Sequence, residues 1–219
     1  MSNLGVVEPI HPRDLLRPRL RGWLHLVAAP VALVAGIVLV VFADGHRIAT
    51  TIYTVSVAGL FATSAAYHRV MWTPRARALM KRLDHSMIFV LIAGSYTGFA
   101  ATALQTDDAR LVLTVVWVGA LAGVAFRVLW PSAPRRVLTP AYVALGWVAI
   151  FFIVPIFEGG GVAAAVLMLV GGAFYSFGAA AYATRRPDPS PTTFGYHEVF
   201  HACTLVGATC HYIGIWLAL

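Results

Sequence analysis

The sequence predicts an all-α membrane protein, a bundle of seven transmembrane helices, and three observations carry that reading. Of 219 residues, 59% are hydrophobic and only 11% are charged, whereas a soluble globular chain is about 45–50% apolar and about 25% charged. The mean hydropathy is +0.78. The apolar residues also fall into seven runs, each close to the roughly 20 residues that a helix needs to cross a bilayer. So little charge cannot cover a water-facing domain. The same numbers exclude a disordered chain, a coiled coil and a secreted disulfide scaffold.

Residues 1–22 form a basic, proline-containing leader, and residues 23–219 a single seven-helix domain. The first span, Trp23–Ala43, runs past twenty residues, which suits a membrane span better than a cleavable signal peptide. The second, Ile48–Val70, follows the short connection 44–47. The third, Ser86–Leu104, follows the longer, basic connection 72–85, and the fourth is Arg110–Trp130. The fifth and sixth, Leu138–Phe157 and Gly161–Ala183, meet at Glu158-Gly159-Gly160-Gly161, where glycine supplies turn geometry. The Pro-rich stretch 184–194 leads to the seventh, Gly195–Ala218. The runs are continuously apolar, without the period-two alternation of a membrane β-barrel, so helices are expected. Cys203 and Cys210 lie on the last span about 10 Å apart by helical rise. That exceeds the roughly 7 Å that a disulfide tolerates, and they read as small buried residues.

The distribution of charge sets the expected topology. The positive-inside rule counts Lys and Arg near the ends of spans. Fourteen basic residues fall on one side: Arg13, Arg17, Arg19 and Arg21 of the leader, five from Arg69 to Arg82, Arg127, Arg135 and Arg136, and Arg185 with Arg186. Only Arg47 and Arg110 fall on the other. The N-terminus is therefore expected in the cytoplasm and the C-terminus outside, in a multi-pass protein of the plasma membrane. The net charge of +7 faces the anionic inner leaflet, and no nucleic-acid partner is needed to explain it. A retinal pigment is disfavoured because Lys81, the one lysine, lies in a connection rather than a span. A G-protein-coupled receptor would have the opposite orientation.

Ionisable residues within spans are costly, so each marks a candidate site. His68 ends the second span with Ser64 one turn before it. Asp84 and His85 precede the third, and the seventh opens with His197-Glu198-Val199-Phe200-His201. Given the expected topology, His68, Asp84, His197 and His201 share one depth near the cytoplasmic face. Residues 197 and 201 are i and i+4, so they share a helix face. With a third imidazole from a neighbouring helix they make a three-His set, the ligand number of a catalytic zinc site with a fourth position open to water. The alternative for the histidines is hydrogen bonding near the headgroups. For Asp84 it is an N-cap of the third helix, and for Ser64 a helix-contact hydroxyl.

The pattern Ser64-Ala-Ala-Tyr-His68, Lys81-Arg82-Leu83-Asp84-His85, Gly94-Ser95-Tyr96-Thr97, His197-Glu198-Val199-Phe200-His201 and His211-Tyr212 resembles the hemolysin III family. That family is the bacterial branch of the progestin and adipoQ (adiponectin-receptor-like) receptors, and the likeness extends over nearly the whole chain. It implies a zinc ion held by His68, His197 and His201, with Asp84 beside the water that the metal activates. Ser64 is expected at the site beside Asp84, as a hydrogen-bond donor to ligand, water or substrate. The resemblance also implies kinship with membrane hydrolases that include ceramidases. Membrane lipids with an acyl chain are then the expected partners, and a zinc-dependent hydrolase of lipid amides is the expected activity. Two alternatives stand beside it: a zinc-stabilised receptor or regulator without turnover, and a membrane-lytic, hemolysin-like protein.

His-Glu-x-x-His on a helix is also the signature of zinc proteases, in which the Glu acts as general base. Here the next histidine, His211, lies ten residues after His201, about 15 Å along a straight helix, too far to share an ion with it. Glu198 is therefore expected to face the interface or a basic neighbour. His25 and His211 read as hydrogen-bonded packing residues and His85 as interfacial. Gly94-x3-Gly98 and Gly119-x3-Gly123 read as places of close helix approach.

Overall fold

The computed structural model describes residues 17–219, and among them helices account for nearly all regular structure, beside one isolated bridge between Ser190 and Phe194. The leader expected over 1–22 lies outside the described residues as far as position 16. Helix α1 spans Trp23–Phe42, α2 Arg47–Arg69, α3 Pro74–Ala103 and α4 Thr106–Leu129. Helix α5, Arg135–Gly146, passes through a 3-10 stretch, Trp147–Phe152, into α6, Ile153–Thr184. Helix α7 is Tyr196–Leu217. Among the described residues, six helices are long and apolar enough to cross a membrane: α1 to α4, the run Val137–Thr184, and α7. Many of their large apolar side chains point outward, among them Val27, Val31, Val34, Leu121 and Phe151. A water-soluble bundle would bury that face; here it is the surface that hydrocarbon covers.

Helix α3 is the centre of the bundle, touching α2, α4, α5, α6 and α7, and the ring closes where α1 meets α7. Tyr53, Phe89, Phe99, Ile156 and Ile215 fill the core between these helices. Close approach depends on the small residues expected to allow it. A Cβ on Gly94 would stand 2.6 Å from the Ser56 Cβ, and one on Gly98 2.5 Å from Ile215 Cδ1.

Two boundaries differ from expectation. Helix α3 begins at Pro74, about three turns before Ser86. Thr73 is its N-cap, accepting from the Ala76 amide, and Pro74 takes the first helical position, where its missing N–H costs nothing. The basic connection is thus largely helix, and Asp84 lies in the body of α3 instead of capping it. The second difference concerns the expected turn at 158–161. Glu158, Gly159 and Gly160 keep helical geometry, and only Gly161 leaves it, with φ 80° and ψ 171°. That region is open to glycine alone. The chain folds back there: the Trp147 indole donates to Ser176 Oγ at 2.8 Å, although 29 residues of straight helix would separate them by about 44 Å.

Candidate metal centre

The last turn of α2 and the first turns of α7 meet at one end of the bundle, and this junction brings three imidazoles together. His68 Nε2 lies 3.2 Å from His197 Nε2. The ligand atoms offered by His68, His197 and His201 all lie within 4.8 Å of one another. The ring centroids are 4.8 Å apart for His68–His197, 5.2 Å for His68–His201 and 4.6 Å for His197–His201. Nitrogens bound tetrahedrally at about 2.0–2.1 Å from one zinc ion would stand roughly 3.3 Å from each other. The donor chemistry and spacing therefore fit a metal ion. Two nitrogens at 3.2 Å with no charge between them also make at most one hydrogen bond, a poor return for gathering three imidazoles in a buried site.

Asp84 and Ser64 sit beside this set. Ser64 stands beside the Asp84 carboxylate, near enough for its hydroxyl to act on it, and both residues line the same cavity as His197 and His201. Asp84 also lies close enough to His68 to act on it electrostatically. It is not among the three residues whose donor atoms converge, so its place is next to the centre. His85, expected at the interface, turns its Nδ1 to the Lys81 carbonyl at 2.8 Å, with Asp84 Oδ2 at 3.4 Å, and lines the cavity too.

Several neighbours were not legible as site residues. His25 of α1 stacks flat on His201, with centroids 3.9 Å apart and planes 8° from parallel. It is buried, but its packing contact is with a candidate ligand. Arg17 donates to the His68 carbonyl, and the leader backbone pairs with the loop before α7 through Arg19 to Thr192 and Leu20 to Thr193. On sequence these arginines register only as topological charge; their partners are more than 50 residues away, and no local pattern announces them. Tyr182 presents its ring edge to His197 at 5.5 Å and carries the Arg135 guanidinium over its face at 4.6 Å.

Glu198 has the basic neighbour expected of it. It is fully buried, its Oε1 accepts from Arg21 Nε at 2.5 Å and its Oε2 from the Gly195 amide at 2.8 Å. Both oxygens are committed, one to an ion pair and one to the first turn of α7. His211 is a packing residue as expected, its Nε2 donating to the Met168 carbonyl at 3.2 Å. Cys203 and Cys210 are free thiols.

The cavity is about 130 Å³, roughly ten times what one water needs. It runs from the histidines along α7 toward His211, between α3, α5 and α6. Its walls are mainly apolar, with Leu60, Ile88, Leu91, Ile92 and Val143 among them.

Known proteins resemble this chain in sequence. The family described as Haemolysin-III related matches residues 13–212. The protein named Hemolysin-3 of Bacillus cereus is 32% identical over 160 residues, covering 71% of this chain and 73% of its own. The Hemolysin-3 homolog of Bacillus subtilis (strain 168) is 26% identical over 189 residues, covering 84% and 85%. An all-helical bundle with membrane-length helices, a three-His cluster and a match over nearly the whole length agree: the chain belongs to the haemolysin-III related family of membrane proteins.

Proposed function

We propose that this protein is a zinc-dependent hydrolase of lipid amides, ceramide-like in class, with its centre at the cytoplasmic end of a seven-crossing bundle in the bacterial plasma membrane. The observation that carries the proposal is the convergence of His68, His197 and His201 beside an apolar cavity that His197, His201, Asp84 and Ser64 line.

His68, His197 and His201 would hold the metal. A zinc ion bound there supplies Lewis acidity toward a carbonyl oxygen and lowers the pKa of a water to about 7. Asp84 takes the proton from the attacking water and returns it to the leaving amine. In this reading Ser64, which stands beside Asp84, donates to the carboxylate and keeps it aimed for that exchange. The apolar walls hold the acyl chain and exclude water from the reacting end. Glu198 takes no part as base, because both its oxygens already accept hydrogen bonds.

Parity supports seven crossings. His68 at the end of α2 touches His197 at the start of α7, so the chain between them crosses an even number of times. Helices α3 and α4 make two crossings, and the run Val137–Thr184, folded back at Gly161, supplies two more. The basic-residue bias then favours the histidine end as cytoplasmic.

Purified protein is expected to carry about one zinc per chain, and His197→Ala/His201→Ala to lose it. Incubation with ceramide should release free fatty acid, and Asp84→Ala should abolish release by about 100-fold or more while zinc stays bound. Full zinc in the double histidine variant sinks the centre. Zinc without any fatty-acid release from the unaltered protein favours instead a metal that only ties α2 to α7. The name of the two relatives favours a second reading, membrane lysis. Leakage from dye-loaded liposomes at low protein concentration tests it.

A further inference from the structure

The far end of the cavity carries polar atoms that the chemistry at the histidines does not use. His211 lies ten residues beyond His201 on α7, about 15 Å deeper along the helix. Its Nε2 faces a carbonyl, which only accepts, so Nε2 holds the ring proton and Nδ1 is a bare acceptor. Nδ1 is buried and meets no donor within the protein. The hydroxyl of Tyr175 and the Oγ of Ser95 are likewise buried without a partner. All three residues line the cavity.

They are linked by ring contacts and one helical turn. The Tyr175 and His211 rings are 5.3 Å apart, nearly perpendicular, and the Tyr175 ring lies across Gly207, where an added Cβ would be 2.9 Å from Cζ. Phe99 packs 5.5 Å from His211, and Ser95 is one helical turn from Phe99 on the face toward the cavity. Ser95 also forgoes the usual hydroxyl bond back to its own helix, which Thr97 makes to Ala93 on the next face.

A membrane protein seldom leaves three such atoms unpaired at hydrocarbon depth, because no water is at hand outside the bundle to satisfy them. Together they offer one acceptor, the His211 Nδ1, and two hydroxyl donors. A carbonyl would satisfy the hydroxyls and leave Nδ1 unpaired, and a carboxylate would bring a charge that the three atoms do not neutralise. A single hydroxyl both donates and accepts, and so matches the set.

We propose that Ser95, Tyr175 and His211 form a recognition site for a hydroxyl group carried partway along the apolar chain of a lipid ligand. The proposal rests on the reading that the cavity holds an acyl chain with its polar head at the three histidines, and it narrows the ligand class to hydroxylated acyl chains.

Binding, not turnover, tests it. A fluorescent fatty acid bound to the detergent-purified protein is displaced with stearic acid and with a series of stearic acids hydroxylated at successive positions. One mid-chain position is expected to bind about tenfold tighter than stearic acid or better, because a site built around a hydroxyl penalises its absence. Tyr175→Phe and Ser95→Ala, which remove only an oxygen, should each erase most of that preference while stearic acid affinity and zinc content stay unchanged. Equal binding of plain and hydroxylated acids overturns the hydroxyl site alone: the three atoms then serve ordered water only. A preference that survives both variants overturns the assigned residues. Failure of every acid to displace the probe overturns the lipid reading beneath the proposal.

Discussion

Glu198 stands between two histidines in the spacing of a zinc-protease base, yet its carboxylate is the most enclosed acidic group of the site and is already shared between Arg21 and the Gly195 amide. Replacing it by Gln keeps the shape and removes the charge, leaving the Arg21 guanidinium, only 16% exposed, without its counterion. Glu198→Gln is therefore expected to lower stability by about 2 kcal/mol or more, seen as a reduced melting temperature in detergent. Zinc content should stay near one per chain, and the folded fraction should hydrolyse ceramide at a rate within about threefold of the unaltered protein. Loss of hydrolysis by about 100-fold, with zinc and melting temperature intact, would restore Glu198 as a general base. The contrast with Asp84 is instructive. From sequence alone an acid before an apolar run suggests an N-cap, but Thr73 already caps α3 and frees Asp84 to face the cavity. The three histidines were legible because helical spacing fixes 197 beside 201 and the depth of His68 follows from topology. The stacking of His25 on His201 and the hold of Arg17 on His68 were not, because they are contacts between elements far apart in the chain.

At the scale of elements, the site depends on how α2, α3 and α7 are held in register, and the hairpin of α5 and α6 forms one wall of the cavity. Its reversal rests on a single residue. Gly161 has φ 80° and ψ 171°, and an added Cβ there would meet nothing within 4 Å. Any penalty for a side chain at Gly161 is thus a backbone penalty. Gly146, at the end of α5, has equally open surroundings but lies at φ −64° and ψ −32°. Gly161→Ala is expected to destabilise by about 1–3 kcal/mol, whereas Gly146→Ala should be neutral or stabilise by up to about 1 kcal/mol. Thermal unfolding of the two variants side by side checks this, and equal melting temperatures would mean that the turn relaxes around the new side chain. The glycine cluster signalled a turn in the sequence, but not which glycine makes it. All four residues from 158 to 161 are compatible with a turn, and packing decides: a Cβ on Gly159 would stand 2.2 Å from the Ala103 carbonyl, so its role is close approach to the end of α3.

For the whole molecule, the number of crossings decides where the histidine end of the cavity faces, and among the described residues the run Val137–Thr184 is the place where hydropathy alone is ambiguous. One crossing would put the connections around Ser132 and Thr192 on opposite sides of the membrane; two put them together. The Arg19–Thr192 and Leu20–Thr193 backbone bonds hold the basic leader against the second of these connections, and Arg135 reaches from the start of α5 to the Tyr196 hydroxyl at 3.2 Å. Leader, α4–α5 connection and α6–α7 connection therefore share the histidine end. With Cys203 and Cys210 replaced by Ala, single cysteines can report each end through exposed positions. A membrane-impermeant maleimide added to intact cells is expected to label Asp44→Cys and Glu158→Cys. Ser132→Cys and Thr192→Cys should react only after the membrane is opened. Labelling of 132 and 192 from opposite sides would remove the second crossing of the hairpin. Labelling of both from outside, with 44 and 158 protected, would invert the bundle and place the histidines at the outer face. In that case the lipid amide would be drawn from the outer leaflet, and the basic connections at the histidine end would stand against the positive-inside rule.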